Sequence, residues 1–180
     1  APDMYTNPKI MGYMLDEFEK IKGYHEPGMI TGKPIELLGC RLREDATSKG
    51  GFIILKEFLE LVGEDKSELR IGIQGFGNAG FNIARMLYQE GFKIVCVSDS
   101  KGGILDESGL DIFEVKKVKE ETGSVVNSKG KRITNQELLE HEVDLLILAA
   151  LENQITEENA PKVKAKYILE LANGPITSKA

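Results

Sequence analysis

The sequence predicts an α/β fold: a Rossmann-like, doubly wound, mostly parallel sheet forming a single domain over residues 1–180. Three observations carry this. From residue 69 onward, short apolar runs alternate with helical stretches, the pattern of βαβ units. The runs are almost continuously apolar, as in strands covered on both faces. The loop Gly75-Phe76-Gly77-Asn78-Ala79-Gly80 joins the first run to a helix.

The elements follow in order. Asn7 suits an N-cap and Pro8 a first helical turn, and Ile10, Met14, Leu15, Phe18 and Ile21 recur at helical spacing until Gly23. Breakers at Pro27, Gly28, Gly32 and Pro34 mark a loop. A second helix is expected over residues 46–61. Its apolar residues are too many for a thin stripe, so it should be well buried. Residues 1–65 thus read as a helical lead-in and 66–180 as the core. Strands are expected at 69–73, 93–98, 143–148 and 167–171, and helices at 81–89, 110–121, 135–141 and 157–165. Residues 124–133 read as irregular or as a small hairpin around Gly130. No internal repeat or low-complexity tract is visible.

Composition narrows the function classes. The chain is 41% apolar and 29% charged, with a net charge of -6, so no basic surface suggests nucleic acid. No apolar run is long enough to span a membrane, and no secretory signal is visible. Cys40 and Cys96 lie far apart and form no metal or redox motif. Cys96 sits in an apolar run and reads as core. A reducing, cytoplasmic setting is expected, and no metal site.

The glycine loop carries the chemistry. The spacing GxGxxG is weak alone, but here it follows a strand and opens a helix. In that context Gly75 permits the tight turn, Gly77 lets backbone approach a pyrophosphate, and Gly80 lets the helix pack closely. The helix N-terminus offers N–H groups to the phosphates. Asp99 lies nineteen residues beyond Gly80, at the end of the next strand, where an acid accepts ribose hydroxyls. Ser100 and Lys101 follow, and a lysine there would instead attract a 2′-phosphate. NAD is therefore favoured, with NADP left open.

Further motifs frame the loop. They are Ala1-Pro2-Asp3, Thr6-Asn7-Pro8, Thr31-Gly32-Lys33-Pro34, Arg43, Ala46-Thr47 and Gln74 to Gly80. Beyond them come Ser98 to Gly103, Ala149 to Gln154, and Ala172-Asn173-Gly174-Pro175. In this order and spacing the chain resembles the cofactor domain of the hexameric glutamate dehydrogenases. That resemblance implies oxidation of L-glutamate to 2-oxoglutarate and ammonia with reduction of NAD or NADP. It assigns Asp3 as the catalytic proton-transfer group, although a terminal carboxylate is by itself more often only solvated. It places Thr47, Asn153 and Asn173 at the nicotinamide end, and Ala149 among the cofactor-binding residues. Read alone, Thr47 would also suit a helix first turn, and the two asparagines tight turns.

The chain departs from the family's usual residues at several places. Leu38 and Leu171 stand where glycine is usual, Leu148 where proline is usual, Cys40 for serine, and Ser48 for the glycine after the threonine. A leucine in place of glycine closes space near a ligand, or fills surface that another domain would cover. The resemblance also implies an N-terminal substrate domain, absent from residues 1–180, which supplies the substrate-binding lysines and most contacts of the homohexamer. L-Glutamate and 2-oxoglutarate are then partners only with that domain, and the isolated chain should not turn over and could be monomeric. The alternatives are the cofactor domain of a leucine, valine or phenylalanine dehydrogenase, and a non-catalytic nucleotide-binding module.

Overall fold

The computed structural model describes residues 2, 6–43 and 45–180. The chain divides into two compact units, Ala1–Ala46 and Thr47–Ala180.

The first unit is built on α1 (Pro8–Lys22). The Asn7 side chain accepts from the Ile10 N–H, Pro8 opens the helix, and Gly23 closes it at φ 75°. Met11 and Leu15, one turn apart, bury its inner face. A β-carbon on Gly12 would lie 3.0 Å from Leu37 Cδ1, so the glycine admits the loop. Three short 3-10 turns follow, at Pro27–Met29, Ile35–Leu37 and Arg41–Arg43. Buried Lys33 braces the first of them, donating to the carbonyls of Pro27 at 2.6 Å and Ile30 at 2.8 Å. Leu38 occupies the left-handed region at φ 61°, the conformation that explains why glycine suits this place.

The second unit is a six-stranded sheet with helices on both faces. Its elements are α2 (Ala46–Val62), β1 (Arg70–Gln74), α3 (Asn78–Gln89), β2 (Lys93–Asp99), β3 (Gly102–Leu105), α4 (Ile112–Thr122), β4 (Lys131–Ile133), α5 (Asn135–Leu139), β5 (Leu145–Leu148) and β6 (Tyr167–Glu170). The strand order is β4-β3-β2-β1-β5-β6. Strands β2, β1, β5 and β6 run parallel, while β3 and β4 are antiparallel additions.

On one face Leu55 and Leu59 of α2, Ile83 and Leu87 of α3, and Ile112 and Val115 of α4 pack on Ile71, Ile73, Val97 and Ile147. On the other, Leu138 and Leu139 of α5 pack with Cys96, Leu146, Leu148 and Ile155. The fold is therefore doubly wound, as the alternating pattern predicts. The chain leaves β1 toward β2 on one side and returns to β5 on the other. This puts a topological switch point between β1 and β5, where open α/β sheets bind ligands.

Three expectations are corrected. Helix α2 is not well buried. Ser48, Gly51, Leu55 and Leu59 form its buried stripe, whereas Ile53, Ile54 and Leu61 are 53%, 66% and 84% exposed. A helix laid on one sheet face buries only one stripe. Residues 157–165 do not form an α-helix and contain only the 3-10 turn Ala160–Lys162. Asn159 instead accepts from the Thr156 N–H and donates to the Gln154 carbonyl, and Pro161 lacks the N–H a helix needs. Finally, the sheet has two strands beyond the expected four, since β3 and β4 pair antiparallel along one edge.

Candidate functional site

The site begins where β1 ends. Gly75 turns the chain at φ 92°, and a β-carbon on it would stand 2.6 Å from the Ala149 carbonyl oxygen. Its N–H donates to the Ser98 carbonyl at 3.0 Å, joining the loop to β2. Phe76 is buried and meets Phe81 edge-on, with ring centroids 5.7 Å apart. That contact anchors the loop to the first turn of α3.

Gly77 and Gly80 differ sharply. No atom lies within 4 Å of a β-carbon placed on Gly77, yet one placed on Gly80 would stand 1.6 Å from the Gly75 carbonyl oxygen. One glycine keeps an approach open and the other lets helix and strand touch. Gly77 is also the N-cap of α3 and provides no capping side chain. The helix therefore presents first-turn N–H groups and the positive end of its dipole toward the open side. Asn78 is exposed, and its Oδ1 accepts from Asn82 Nδ2 at 3.0 Å. These features fit a pyrophosphate.

The start of α2 is joined to this loop. Ser48, 1% exposed, donates from Oγ to the Ala79 carbonyl at 2.9 Å. Thr47 stands exposed beside it. The serine that departs from the usual glycine thus ties Thr47's helix to the glycine loop. One turn on, a β-carbon on Gly51 would meet Leu171 Cδ2 at 2.4 Å. The Leu171 side chain therefore lies against α2. Leu148 is fully buried in the core. Both leucines fill packing space.

At the end of β2 the Asp99 carboxylate is almost fully enclosed. Oδ1 accepts from the Lys101 N–H at 2.9 Å and Ser124 Oγ at 3.0 Å, and Oδ2 from the Val125 N–H at 2.8 Å. Lys119 Nζ lies 3.3 Å from Oδ2. Burial alone would push this carboxyl up, but the hydrogen bonds and the Lys119 charge together hold it below the usual carboxylate range. Ser100 and Lys101 are exposed immediately beyond.

On the far side of the switch point, the Ala149 N–H donates to the Gln74 carbonyl at 2.8 Å. Asn153 adopts φ 54°, and its N–H donates to the Gly174 carbonyl at 3.0 Å. That bond brings the Asn153 loop alongside the Asn173–Gly174 turn. Gly75 to Gly80, Asp99 to Lys101, Ala149, Asn153 and Asn173 all lie at or beyond C-terminal strand ends of the sheet. Asp3 lies outside the described residues. No group of three or more metal-ligating side chains occurs among those residues, and no described helix is long and apolar enough to cross a membrane. Sequence reasoning did not find the parts played by Ser124, Lys119 and Gln74. Ser48 did carry a signal, as a departure from the usual residue.

Residues 39–180 match the glutamate/leucine/phenylalanine/valine dehydrogenase family. The chain belongs to that family. It is 47% identical, over 98% of its length, to a cryptic catabolic NAD-specific glutamate dehydrogenase of Bacillus subtilis and covers 42% of that protein. It is 42% identical over its full length to an NADP-specific glutamate dehydrogenase of Synechocystis and covers 44% of it. Among solved structures, the hetero-hexameric glutamate dehydrogenase of Thermus thermophilus in its Leu-bound form superposes with a TM-score of 0.91 at 30% identity. That match covers 98% of this chain and 42% of that one. The chain thus spans less than half the length of these relatives.

Proposed function

We propose that this chain is the nicotinamide-dinucleotide-binding part of a glutamate dehydrogenase. The observation that carries the reading is the steric division among Gly75, Gly77 and Gly80, at a helix N-terminus beside the switch point. It supports a pyrophosphate at the loop. Asp99, Ser100 and Lys101 would then border the adenosine ribose, and Thr47, Asn153 and Asn173 the nicotinamide, with Ala149 also among the cofactor-binding residues. Relatives named as glutamate dehydrogenases support L-glutamate as substrate.

The dinucleotide would supply hydride acceptance. This chain would bind and orient it, with Asp3 assigned to proton transfer by resemblance. NAD is the proposed form, after the NAD-specific relatives; the Asp99 charge itself is engaged by Lys119 and three hydrogen bonds. Turnover also needs substrate held against the nicotinamide, and we assign that task to a substrate domain outside residues 1–180. In the whole protein, a hexamer is the proposed assembly.

Titration of the chain with NADH and NADPH, followed by nicotinamide fluorescence, tests this. Saturable binding with NADH the tighter ligand is expected. Glutamate plus NAD should give no rise in NADH absorbance. Absence of binding at millimolar concentrations of either cofactor would sink the reading, and robust turnover by this chain would overturn the division of labour.

A further inference from the structure

One side chain spans the switch point. Gln74 is the last residue of β1 and pairs in register with Leu148, the last residue of β5. It is 2% exposed. Its Nε2 donates to Gln154 Oε1 at 2.7 Å, across eighty residues of chain. Gln154 Nε2 in turn donates to the Glu152 carbonyl at 3.0 Å. The Gln154 N–H donates to the Pro175 carbonyl at 2.7 Å. The carboxamide relay therefore joins β1 to the loop after β5, and the backbone of Gln154 ties that loop to the turn at Gly174–Pro175.

The direction of the relay is fixed by donor and acceptor chemistry. Gln154 must aim its NH₂ at the Glu152 carbonyl, so its oxygen faces Gln74, and Gln74 must answer with its own NH₂. Gln74 Oε1 meets no donor among the described residues, so the bond to Gln154 orients the whole group. Between the relay's fixed points stands Asn153, at φ 54°, a left-handed conformation that asparagine tolerates better than most non-glycine residues. The relay runs on the far side of β1 from α3, since Gln74 shares its face with Leu148 and the α5 layer rather than with Ile73 and α3.

We propose that Gln74 is a positioning residue for the nicotinamide end of the dinucleotide. It acts through Gln154 to set the loop at 149–155 and the turn at 173–175 against the glycine loop. The inference rests on the dinucleotide reading above. It separates two jobs that lie side by side in the sequence: Gly75 onward takes the pyrophosphate, while Gln74 takes none of it and fixes the wall on the other side.

The test compares NADH with ADP-ribose, which has the adenosine and pyrophosphate but no nicotinamide. Both are titrated calorimetrically against the wild-type chain, Gln74→Leu, Gln154→Leu and Gln154→Glu. The leucine variants should weaken NADH about fivefold or more, roughly the worth of one hydrogen bond, with ADP-ribose changed less than about twofold. Gln154→Glu keeps an acceptor for Gln74 but sets a carboxylate oxygen, in place of the NH₂, against the Glu152 carbonyl, so it should weaken NADH as the leucine variants do. Equal weakening of both ligands would mark Gln74 as a general brace and overturn the proposal, as would unchanged NADH binding. If Gln74→Leu does not fold, Gln154→Leu, in a half-buried loop position, decides the matter alone. A wild-type chain that binds neither ligand removes the dinucleotide reading and this inference together, whereas equal weakening removes the inference alone.

Discussion

Gly80 is pressed so closely onto Gly75 that a β-carbon on it would stand 1.6 Å from the Gly75 carbonyl oxygen, while the same atom on Gly77 would touch nothing within 4 Å. Two glycines of one motif are thus required for opposite reasons, and the two should part under mutation. Gly77→Ala should leave the melting temperature within about 3 °C of wild type yet weaken NADH about tenfold or more, because the methyl group enters the phosphate approach. Gly80→Ala should lower stability by about 3 kcal/mol or more, as overpacking against backbone does, and lose binding as a consequence. Thermal melts paired with NADH titrations read both. Equal stability losses for the two variants would contradict the division.

The contact between Leu171 and Gly51 predicts a compensating pair. Leu171→Gly should cost about 1–3 kcal/mol by opening a cavity beside α2. Gly51→Ala alone should gain less than the usual benefit of about 1 kcal/mol in a helix interior, since its methyl carbon would meet Leu171 Cδ2 at 2.4 Å. Combined, the two changes should cost clearly less than their sum, because the methyl group enters the space the leucine leaves. Urea unfolding of the four proteins measures this, and strict additivity would show that the residues do not share that space.

Asp99 makes an acid limb in stability. Its folded carboxyl lies below the usual carboxylate range, so the unfolded chain binds the proton more readily. The stabilisation is present above the unfolded value near pH 4 and fades as pH falls through the lower folded value. Asp99→Asn should be less stable than wild type at neutral pH, and the difference should shrink below about pH 4. Urea midpoints between neutral pH and about pH 3 test this. A gap that holds constant across that range would place the effect elsewhere.

Legibility in the sequence followed the range of each signal. Strands β1 and β2, the glycine loop and Asp99's place at a strand end rest on neighbours within a few residues, so pattern alone located them. Strands β3 and β4 did not show, because Gly102-Gly103 has little strand character and the pair forms by adding onto β2. The expected helix at 157–165 failed for a local reason, as Asn159 and Pro161 outweigh helix-favouring neighbours. The ties that shape the site were beyond reach. Ser48 meets Ala79 from thirty-one residues away, and Gln74 meets Gln154 from eighty. Such partners are chosen by the folded sheet and leave no spacing to read. The enclosure of Asp99 by Ser124, Val125 and Lys119 was hidden likewise, although the acid itself was found.

The two cysteines have opposite surroundings, and that difference has a practical use. Cys40 is exposed and Cys96 is buried in the sheet. Burial first, with the Glu107 charge adding to it, pushes the Cys96 thiol up to about 12. Thiolate is the reacting form, so Cys96 stays silent toward a maleimide while the fold is intact. A native chain should therefore take a single dye, at Cys40 in the first unit, with the dinucleotide loop left chemically untouched. Uptake of a second dye would then count unfolded molecules directly.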